Sequence, residues 1–441
     1  MEVLIPLEIT IFVILSSCYI WKKSRTFFVC YIILFLYTIF SQLGYLFYKD
    51  YYQLFTEIPY FSKEIFIQYS CYISLSLLAI FTIFIFFYNK NKEIGVSLQI
   101  KNKERKSKNL LYISLILLIN IVEIYFLVKN FNTLSYGNQA TLKSNKIWFY
   151  IFAINGITIL SLIAKFKMTR NIQTKIVYTI ILLITLSTFL ITSIKAGQRI
   201  EMLGTLTGIA IFFLFYQKEM QKQQSKKRKR HLIFISITII VIIGFFQAVR
   251  SNREEISNIN DVPLALTKTE TYTRILDPQD VIFQDWFAPS LSLATSIEKN
   301  IIIPKTVIES NIRVLIPFID HKTLGESISR IIAPKSNQGF GYYILTEGYN
   351  LMGFLGFIYS AIVFTFGIFL LEKFFSNTEN IIFNSYMAGI IGVASLDIIR
   401  GGQIIIFFKI LYLYFLPAII LFWLLSNKKI YISKLKKTKI S

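Results

Sequence analysis

The sequence has 441 residues, of which 54% are hydrophobic and 16% are charged, and its formal net charge is +22. The apolar residues stand in long unbroken runs, so the composition excludes a disordered chain, a collagen, a disulfide-stabilised scaffold and a water-soluble enzyme. The class that remains is a membrane protein that crosses the bilayer many times.

Eleven apolar stretches are long enough to cross the bilayer, since a helix needs about 20 apolar residues to cover the hydrocarbon core. In chain order they are residues 3–20, 27–48, 65–88, 110–128, 147–164, 176–194, 200–216, 232–249, 345–371, 381–399 and 404–425. Lipid offers the backbone no hydrogen-bond partners, so each stretch is predicted to be a helix. The ninth carries Glu347 and Gly353 near its start, so that end is poorly defined as a span. The expected fold is an all-α, polytopic membrane helix bundle.

The basic residues indicate which loops face the cytoplasm, because positively charged loops stay on that side. The predicted cytoplasmic segments are 21–26, 89–109, 165–175, 217–231, 372–380 and the tail after Ser426; together they hold 28 Lys or Arg and five acidic residues. The positive total is therefore explained by topology, and the basic run at 226–230 requires no nucleic acid. The N-terminus is expected outside and the C-terminus in the cytoplasm.

One outer loop, residues 250–340, is much longer than the others and contains six of the nine prolines. Its 10 basic and 11 acidic residues nearly balance. Two apolar stripes, Ile308, Ile312 and Leu315 and then Leu324, Ile328, Ile331 and Ile332, predict short amphipathic helices on the outer surface of the bundle. The predicted organisation is transmembrane helices 1–8 in 1–249, a large extracytoplasmic loop in 250–340, transmembrane helices 9–11 in 341–426 and a basic cytoplasmic tail in 427–441.

Arginine and glycine residues are concentrated where predicted spans end at the outer face, the face that positive residues usually avoid. The guanidinium group matches phosphate oxygens and keeps its charge when partly buried, so these arginines predict an anionic ligand at the outer leaflet. The candidates, with the glutamines beside them, are Gln198, Arg199, Arg250, Arg253, Arg330, Gln338, Arg400 and Gln403.

Simpler explanations exist for single members of this set. Glu326 precedes Arg330 by four residues on a predicted helix, which is typical of a surface ion pair. Arg199 has Glu201 two residues away, and arginines at span ends commonly extend toward the interface. Ion pairing and ligand binding therefore both remain open from the residues alone.

Three short motifs are notable beside the topology. Gly-Gln-Arg stands at 197–199, Arg-Gly-Gly stands at 400–402, and residues 339–356 read GFGYYILTEGYNLMGFLG. Gly341 follows Arg330 with ten residues between them. With eleven spans and one long late outer loop, these features resemble the Wzy-type O-antigen polymerases, the oligosaccharide repeat-unit polymerases of bacterial surface polysaccharides.

The resemblance implies a bacterial inner-membrane glycosyltransferase with a GT-C-like helical fold that takes part in lipopolysaccharide biosynthesis. Such an enzyme transfers a growing glycan from one undecaprenyl pyrophosphate carrier to the repeat unit on another. Arg330, Arg199 and Arg400 would stabilise the departing pyrophosphate, so neither a cofactor nor a metal is expected. The implied partners are lipid-linked oligosaccharide, membrane lipids and a chain-length regulator protein, with no nucleic acid.

The acceptor hydroxyl of such a reaction benefits from a general base on the same face. The main candidates are His321 in the long loop and Glu347 at the start of the ninth span, with Glu326 and Asp397 as further alternatives. Tyr349 is predicted to contact sugar, although aromatic residues are also common at membrane interfaces.

Two other functions fit the same features. An O-antigen ligase-like transferase would use the same donor with a different acceptor. A lipid-linked oligosaccharide flippase or other transporter would use the arginines to hold pyrophosphate, but it predicts charges at the middle of the membrane rather than at one face.

Overall fold

The computed structural model describes residues 4–55, 62–90, 96–99, 106–131, 146–169, 171–196, 204–212, 288–315, 324, 328, 342–375, 381–396, 398–399 and 431–434. The helices before the long loop are α1 (Leu4–Lys23), α2 (Arg25–Phe55), α3 (Lys63–Lys90), α4 (Lys106–Asn130), α5 (Lys146–Met168), α6 (Ile172–Ala196) and α7 (204–212). The later helices are α8 (Ala288–Glu298), α9 (Pro304–Leu315), α10 (Ile344–Met352), α11 (Gly356–Phe375) and α12 (Ile381–Leu396).

The helices confirm a membrane protein with several spans. Within the described part of the chain, six helical segments are long and apolar enough to cross a bilayer: Leu4–Lys23, Arg25–Leu43, Lys63–Asn89, Leu111–Asn130, Ile172–Ser193 and Ile344–Glu372. Ile154–Phe166 is a shorter apolar helix in the fifth predicted span. The predicted spans 232–249 and 404–425 lie outside the described residues, so the number eleven stays a prediction.

A hydrogen-bonded cluster joins three helix ends at the predicted cytoplasmic face. The Ser24 hydroxyl accepts a bond from the Phe27 backbone N–H at 3.0 Å and so caps the start of α2. The same hydroxyl donates to the Glu372 carboxylate near the end of α11, at 2.7 Å from Oε1 and 2.6 Å from Oε2. Tyr88, at the end of α3, donates its phenol to Glu372 Oε2. The α1–α2 connection is thereby fixed to α3 and α11.

α3 and α11 run side by side from this cluster toward the opposite face. The Thr365 hydroxyl lies 3.5 Å from the Ile80 carbonyl oxygen, and the rings of Tyr72 and Phe357 meet edge-on, 6.5 Å apart. Both pairs are offset by the same number of residues, as expected for parallel helices. Since Glu372 and Tyr88 also meet, the two helices have matched depths along their length.

A second group of helices packs through glycines. A Cβ on Gly204 of α7 would overlap Val393 of α12, and one on Gly208 would overlap the backbone at Gly389. Close backbone approach at small residues is typical of helix pairs in membranes. The start of α7 is therefore placed against the last turn of α12, and the two helices run in opposite directions.

The all-α prediction holds for the described residues apart from a short ribbon. Strand β1 (Val96–Gln99) pairs antiparallel with β2 (Tyr431–Lys434), with Val96 opposite Lys434 and Gln99 opposite Tyr431. One strand belongs to the predicted cytoplasmic loop 89–109 and the other to the basic tail. Pairing requires both segments to lie on the same side of the membrane.

The ninth predicted span, 345–371, is broken and is not one straight helix. α10 ends at Met352, a single 3₁₀ turn covers Gly353–Leu355, and α11 begins at Gly356. Gly353 has φ +60°, a value that favours glycine. A Cβ on Gly348 would overlap Gly356, and one on Gly356 would overlap Gly348, so α10 folds back against the start of α11. α11 has 20 residues, about 30 Å of helix, and is long enough to cross the hydrocarbon without α10.

Candidate functional site

Glu347 is the one predicted acid–base residue within the described part of the chain, and its side chain is completely buried. Its Oε1 accepts two hydrogen bonds, one from Asn311 Nδ2 and one from the Tyr359 hydroxyl, each 2.9 Å long. These partners belong to α9 and α11. Burial of a carboxyl group is costly unless such bonds are made, so Glu347 fastens three helices together.

Asn350, one turn after Glu347, fixes the long loop to α10. Its Oδ1 accepts a bond from the Tyr342 hydroxyl at 3.0 Å. Its Nδ2 lies 3.1 Å from Ser296 Oγ and 2.7 Å from the Ile301 carbonyl oxygen. Its own carbonyl oxygen accepts from the Ile303 N–H at 2.8 Å. One side chain and one peptide group thus bind the whole connection between α8 and α9.

α8 is a buried helix of the long loop that neither of the two apolar stripes predicted. Ser292, Thr295 and Ser296 are fully buried, as is Leu293, and the helix packs against α2, α3 and α10. The hydroxyl groups of Ser292 and Thr346 share a hydrogen bond of 2.9 Å. Part of the long loop is therefore inserted into the bundle, and its contact with α10 includes polar side chains beside the apolar Leu293, Ala294 and Ile297.

α9 is amphipathic as predicted, but the apolar stripe does not face the bundle. Ile308 and Ile312 are 51% and 54% exposed. The buried face consists of Val307, Ser310 and Asn311. The helix binds the bundle through an amide that pairs with Glu347, and this polar contact fixes its orientation. In the second predicted stripe, Leu324 and Ile328 are buried, while Ile331 and Ile332 lie outside the described residues.

Tyr349, a predicted sugar contact, is 7% exposed. Its hydroxyl lies 3.3 Å from Asn300 Oδ1, and its ring meets the ring of Tyr72 edge-on at 5.7 Å. The side chain thus joins α10 to α3 and to the turn after α8. Its role in sugar binding stays a prediction.

The remaining candidates belong to stretches that the structure does not describe. They are Gln198, Arg199, Arg250, Arg253, His321, Arg330, Gln338, Arg400 and Gln403. Two of them flank a described contact: Arg199 precedes Gly204 by five residues, and Arg400 follows Val393 by seven. Gly204 lies in the first turn of α7 and Val393 in the last turn of α12, and the two residues pack together. Arg199 therefore precedes, and Arg400 follows, two neighbouring helix ends.

Three polar residues of this site were missed by the sequence analysis. Asn311 and Tyr359 bind Glu347, and Asn350 binds the long loop. A usable signal existed for one of them, because Asn350 follows Glu347 by three residues and so shares its helix face. Nothing in the sequence pairs Asn311 or Tyr359 with Glu347, since each comes from a different helix. Asn311 also lies beside Ile308 and Ile312, whose spacing dominates the sequence pattern of α9.

A second buried carboxyl group has a structural explanation. Glu123 of α4 is fully buried and accepts a hydrogen bond from the Asn155 amide of α5. Nearby, Asn120 donates to the Thr185 hydroxyl of α6 at 2.9 Å. Glu123 therefore joins α4 to α5 by a helix-to-helix hydrogen bond. Glu8, on α1, is exposed.

Comparison with known proteins extends the resemblance over nearly the whole chain. A family model described as O-antigen polysaccharide polymerase Wzy matches residues 2–430. No curated protein and no solved structure matches the chain. The matched range includes every helix described above, and it therefore includes Glu347 and its partners Asn311 and Tyr359.

Proposed function

Because the chain belongs to the O-antigen polysaccharide polymerase Wzy family, we propose that it joins undecaprenyl-pyrophosphate-linked oligosaccharide repeat units into O-antigen or a related surface polysaccharide. The reaction would take place at the outer face of the bacterial inner membrane. The family match over residues 2–430 is the observation that carries this proposal. The membrane-spanning helices support it, because the donor is anchored in lipid.

In the proposed reaction, an acceptor hydroxyl oxygen attacks the anomeric carbon of the donor glycan. The bond from that carbon to the pyrophosphate oxygen breaks, and the pyrophosphate leaves with the electron pair. Arg199, Arg330 and Arg400 would stabilise the charge that develops on this leaving group, with Arg250 and Arg253 as further ligands. Gln198, Gln338, Gln403 and Tyr349 are the proposed contacts to the headgroup and glycan.

The helix packing supports a shared site for two of these arginines. Arg199 is five residues from Gly204, which limits its backbone to about 18 Å from that point. Arg400 is seven residues from Val393, or about 25 Å of extended chain. Since Gly204 packs on Val393, both arginines can reach one pyrophosphate at the face where α7 begins and α12 ends.

Glu347 is the proposed general base, with His321 as the alternative. Support comes from its place beneath the long loop, where Asn311 and Tyr359 fix one carboxyl oxygen. Ionisable residues buried at membrane depth often mark functional sites in membrane proteins. Opening of α9 would be needed for an acceptor to reach it.

The test of the proposed function is deletion of the protein in its host, followed by analysis of the glycolipids. Loss of a polymerase leaves single repeat units on the lipid carrier or on the lipid A core. Loss of a flippase leaves no repeat unit outside the membrane, and loss of a ligase leaves polymer that stays on the carrier. Either of the last two patterns would contradict the proposal.

The proposed orientation places the N-terminus outside and the C-terminus in the cytoplasm. The pairing of β1 with β2 supports a common side for loop 89–109 and the basic tail. Reporter fusions within 250–340 and after residue 430 test the orientation directly. A family likeness alone suggests the chain-length regulator, and co-purification from the host membrane would test that partner.

A further inference from the structure

α9 presents three different faces around its circumference. Val307, Ser310 and Asn311 face the bundle, Ile308 and Ile312 form an exposed apolar stripe, and Lys305, Glu309 and Arg313 form an exposed charged stripe. With about 100° of rotation per residue, the three faces each occupy roughly a third of the helix. A helix on a water-exposed protein surface needs only a buried face and a polar face. The third, apolar face therefore calls for its own partner.

Further exposed apolar residues lie just before α9 and at the turn into α11. Ile302, just before α9, is 45% exposed, and its side chain lies against Gly353, 3.1 Å from the position that a Cβ would take there. Beyond Gly353, the turn into α11 exposes Phe354 at 46% and Leu355 at 60%. Ile302 thus meets the turn from which the membrane-spanning helix begins.

Exposed apolar residues continue along α11 itself. Ile358, Ile362 and Phe366 are 43%, 48% and 43% exposed and follow one another at intervals of four residues, so they form a single stripe down the helix. An apolar stripe in the middle of a membrane-spanning helix contacts acyl chains. Ile302 lies against Gly353, so the segment that leads into α9 meets the turn from which this stripe begins.

We propose that α9 is an interfacial membrane helix, whose Ile308 and Ile312 lie against the acyl chains of the outer leaflet while Lys305 and Arg313 contact lipid phosphates. The contact of Ile302 with the turn that begins the membrane-spanning helix, whose Ile358, Ile362 and Phe366 are exposed, identifies lipid as the occupant. The charge pattern agrees, because a helix at this depth places its apolar face at the acyl boundary and its charged face, here two basic residues and one acidic residue, among the headgroups. This inference is independent of the enzymatic activity proposed above.

The same helix touches Glu347 through Asn311, so the bilayer and the buried carboxyl group hold it from two sides. The peptide connection from α8 is fixed to Asn350 at Ile301 and Ile303. Lipid contact therefore contributes to the position of a helix that covers the proposed base.

The test measures the depth of spin labels in protein reconstituted into nanodiscs of phosphatidylethanolamine and phosphatidylglycerol. Single cysteines replace Ile308 or Glu309 in a chain whose native Cys18, Cys30 and Cys71 have been removed. A third variant, Ile362→Cys, marks the lipid-facing side of α11. Relaxation of each nitroxide by oxygen, which concentrates in lipid, is compared with relaxation by a water-soluble nickel chelate.

The label at Ile308 is expected to match Ile362, with strong oxygen access and little nickel access, while Glu309 shows several-fold greater nickel access. Equal nickel access at Ile308 and Glu309 would place the stripe in water and overturn the proposal. Shielding of Ile308 from both reagents would also overturn it, because protein would then be the cover. A monodisperse elution profile in detergent confirms that each labelled variant is folded.

Discussion

The Asn311 amide donates a hydrogen bond of 2.9 Å to the Glu347 carboxylate, although the two residues are 36 positions apart and lie on separate helices. The contact connects the only amide on the buried face of α9 with a carboxyl group of α10 that has no exposed surface. It sets the direction in which the amphipathic helix faces. Loss of this bond should therefore affect both stability and the shape of the outer surface.

Asn311→Leu removes the donor and leaves a buried carboxyl group with one bond fewer. We expect a loss of about 1–3 kcal/mol in stability, because a buried polar group that loses its partner keeps its full desolvation cost. The measurement is the midpoint of thermal aggregation in detergent, read by size-exclusion chromatography. Glu309→Gln, on the exposed face of the same helix, is the control and should leave the midpoint unchanged.

Glu347→Gln tests the proposed base without removing the side chain. The amide oxygen can still accept bonds from Asn311 and Tyr359, so the thermal midpoint should stay close to that of the parent. If Glu347 accepts the acceptor's proton, polymer synthesis should fall by about 10²–10⁴-fold. The readout is the ladder of chain lengths on a glycan gel. Polymer at normal levels in a normally folded variant would remove Glu347 from the catalytic residues and favour His321.

Gly348→Ala and Gly356→Ala test the contact between α10 and α11. Each added methyl group overlaps the opposite backbone, which cannot move as a flexible side chain would. We expect each change to cost about 1–3 kcal/mol, the usual range for overpacking in a close-packed interior. Yield of folded protein and thermal midpoint are the measurements. Ile358→Ala, on the exposed side of α11, should change neither, and equal losses in all three variants would argue against a specific glycine contact.

Arg330→Ala and Arg400→Ala should abolish polymer while the protein remains in the membrane at normal levels. Replacement by Lys should restore only part of the activity, because an ammonium group cannot form the paired bonds that guanidinium makes with phosphate. Arg170→Ala, in a predicted cytoplasmic loop, is the control. Full-length polymer from either alanine variant would remove that arginine from the proposed site.

Hydrophobic patterning was sufficient to find the spans, as α1, α3, α4 and α6 show. It could not find the break at Gly353, because residues 345–371 are mostly apolar and the break depends on contact between two glycines eight residues apart. Gly353 and Glu347 nevertheless marked that end as unusual. The turn itself follows from a backbone conformation that only glycine adopts easily.

The sequence also could not predict which face of α9 packs against the bundle. Its stripe of Ile308 and Ile312 is correct as a pattern, but in a membrane protein an apolar face has two suitable environments, protein and lipid. The deciding interaction is the Asn311 amide, whose partner lies in another segment. The burial of α8 is similar, because Ser292 and Ser296 face α10 through hydrogen bonds that no periodicity reveals.

The cluster at Ser24 also bears on how the chain assembles during synthesis. The hydroxyl of Ser24 finds its carboxylate 348 positions later, at Glu372. Translation at about 5–20 residues per second separates the two by roughly 20–70 s. α1 and α2 must therefore remain in the bilayer during this time without the Ser24–Glu372 hydrogen bonds, which form only after α11 has been synthesised. A chain released before that moment would contain α1 and α2 but would lack the hydrogen bonds that join Ser24 to Glu372.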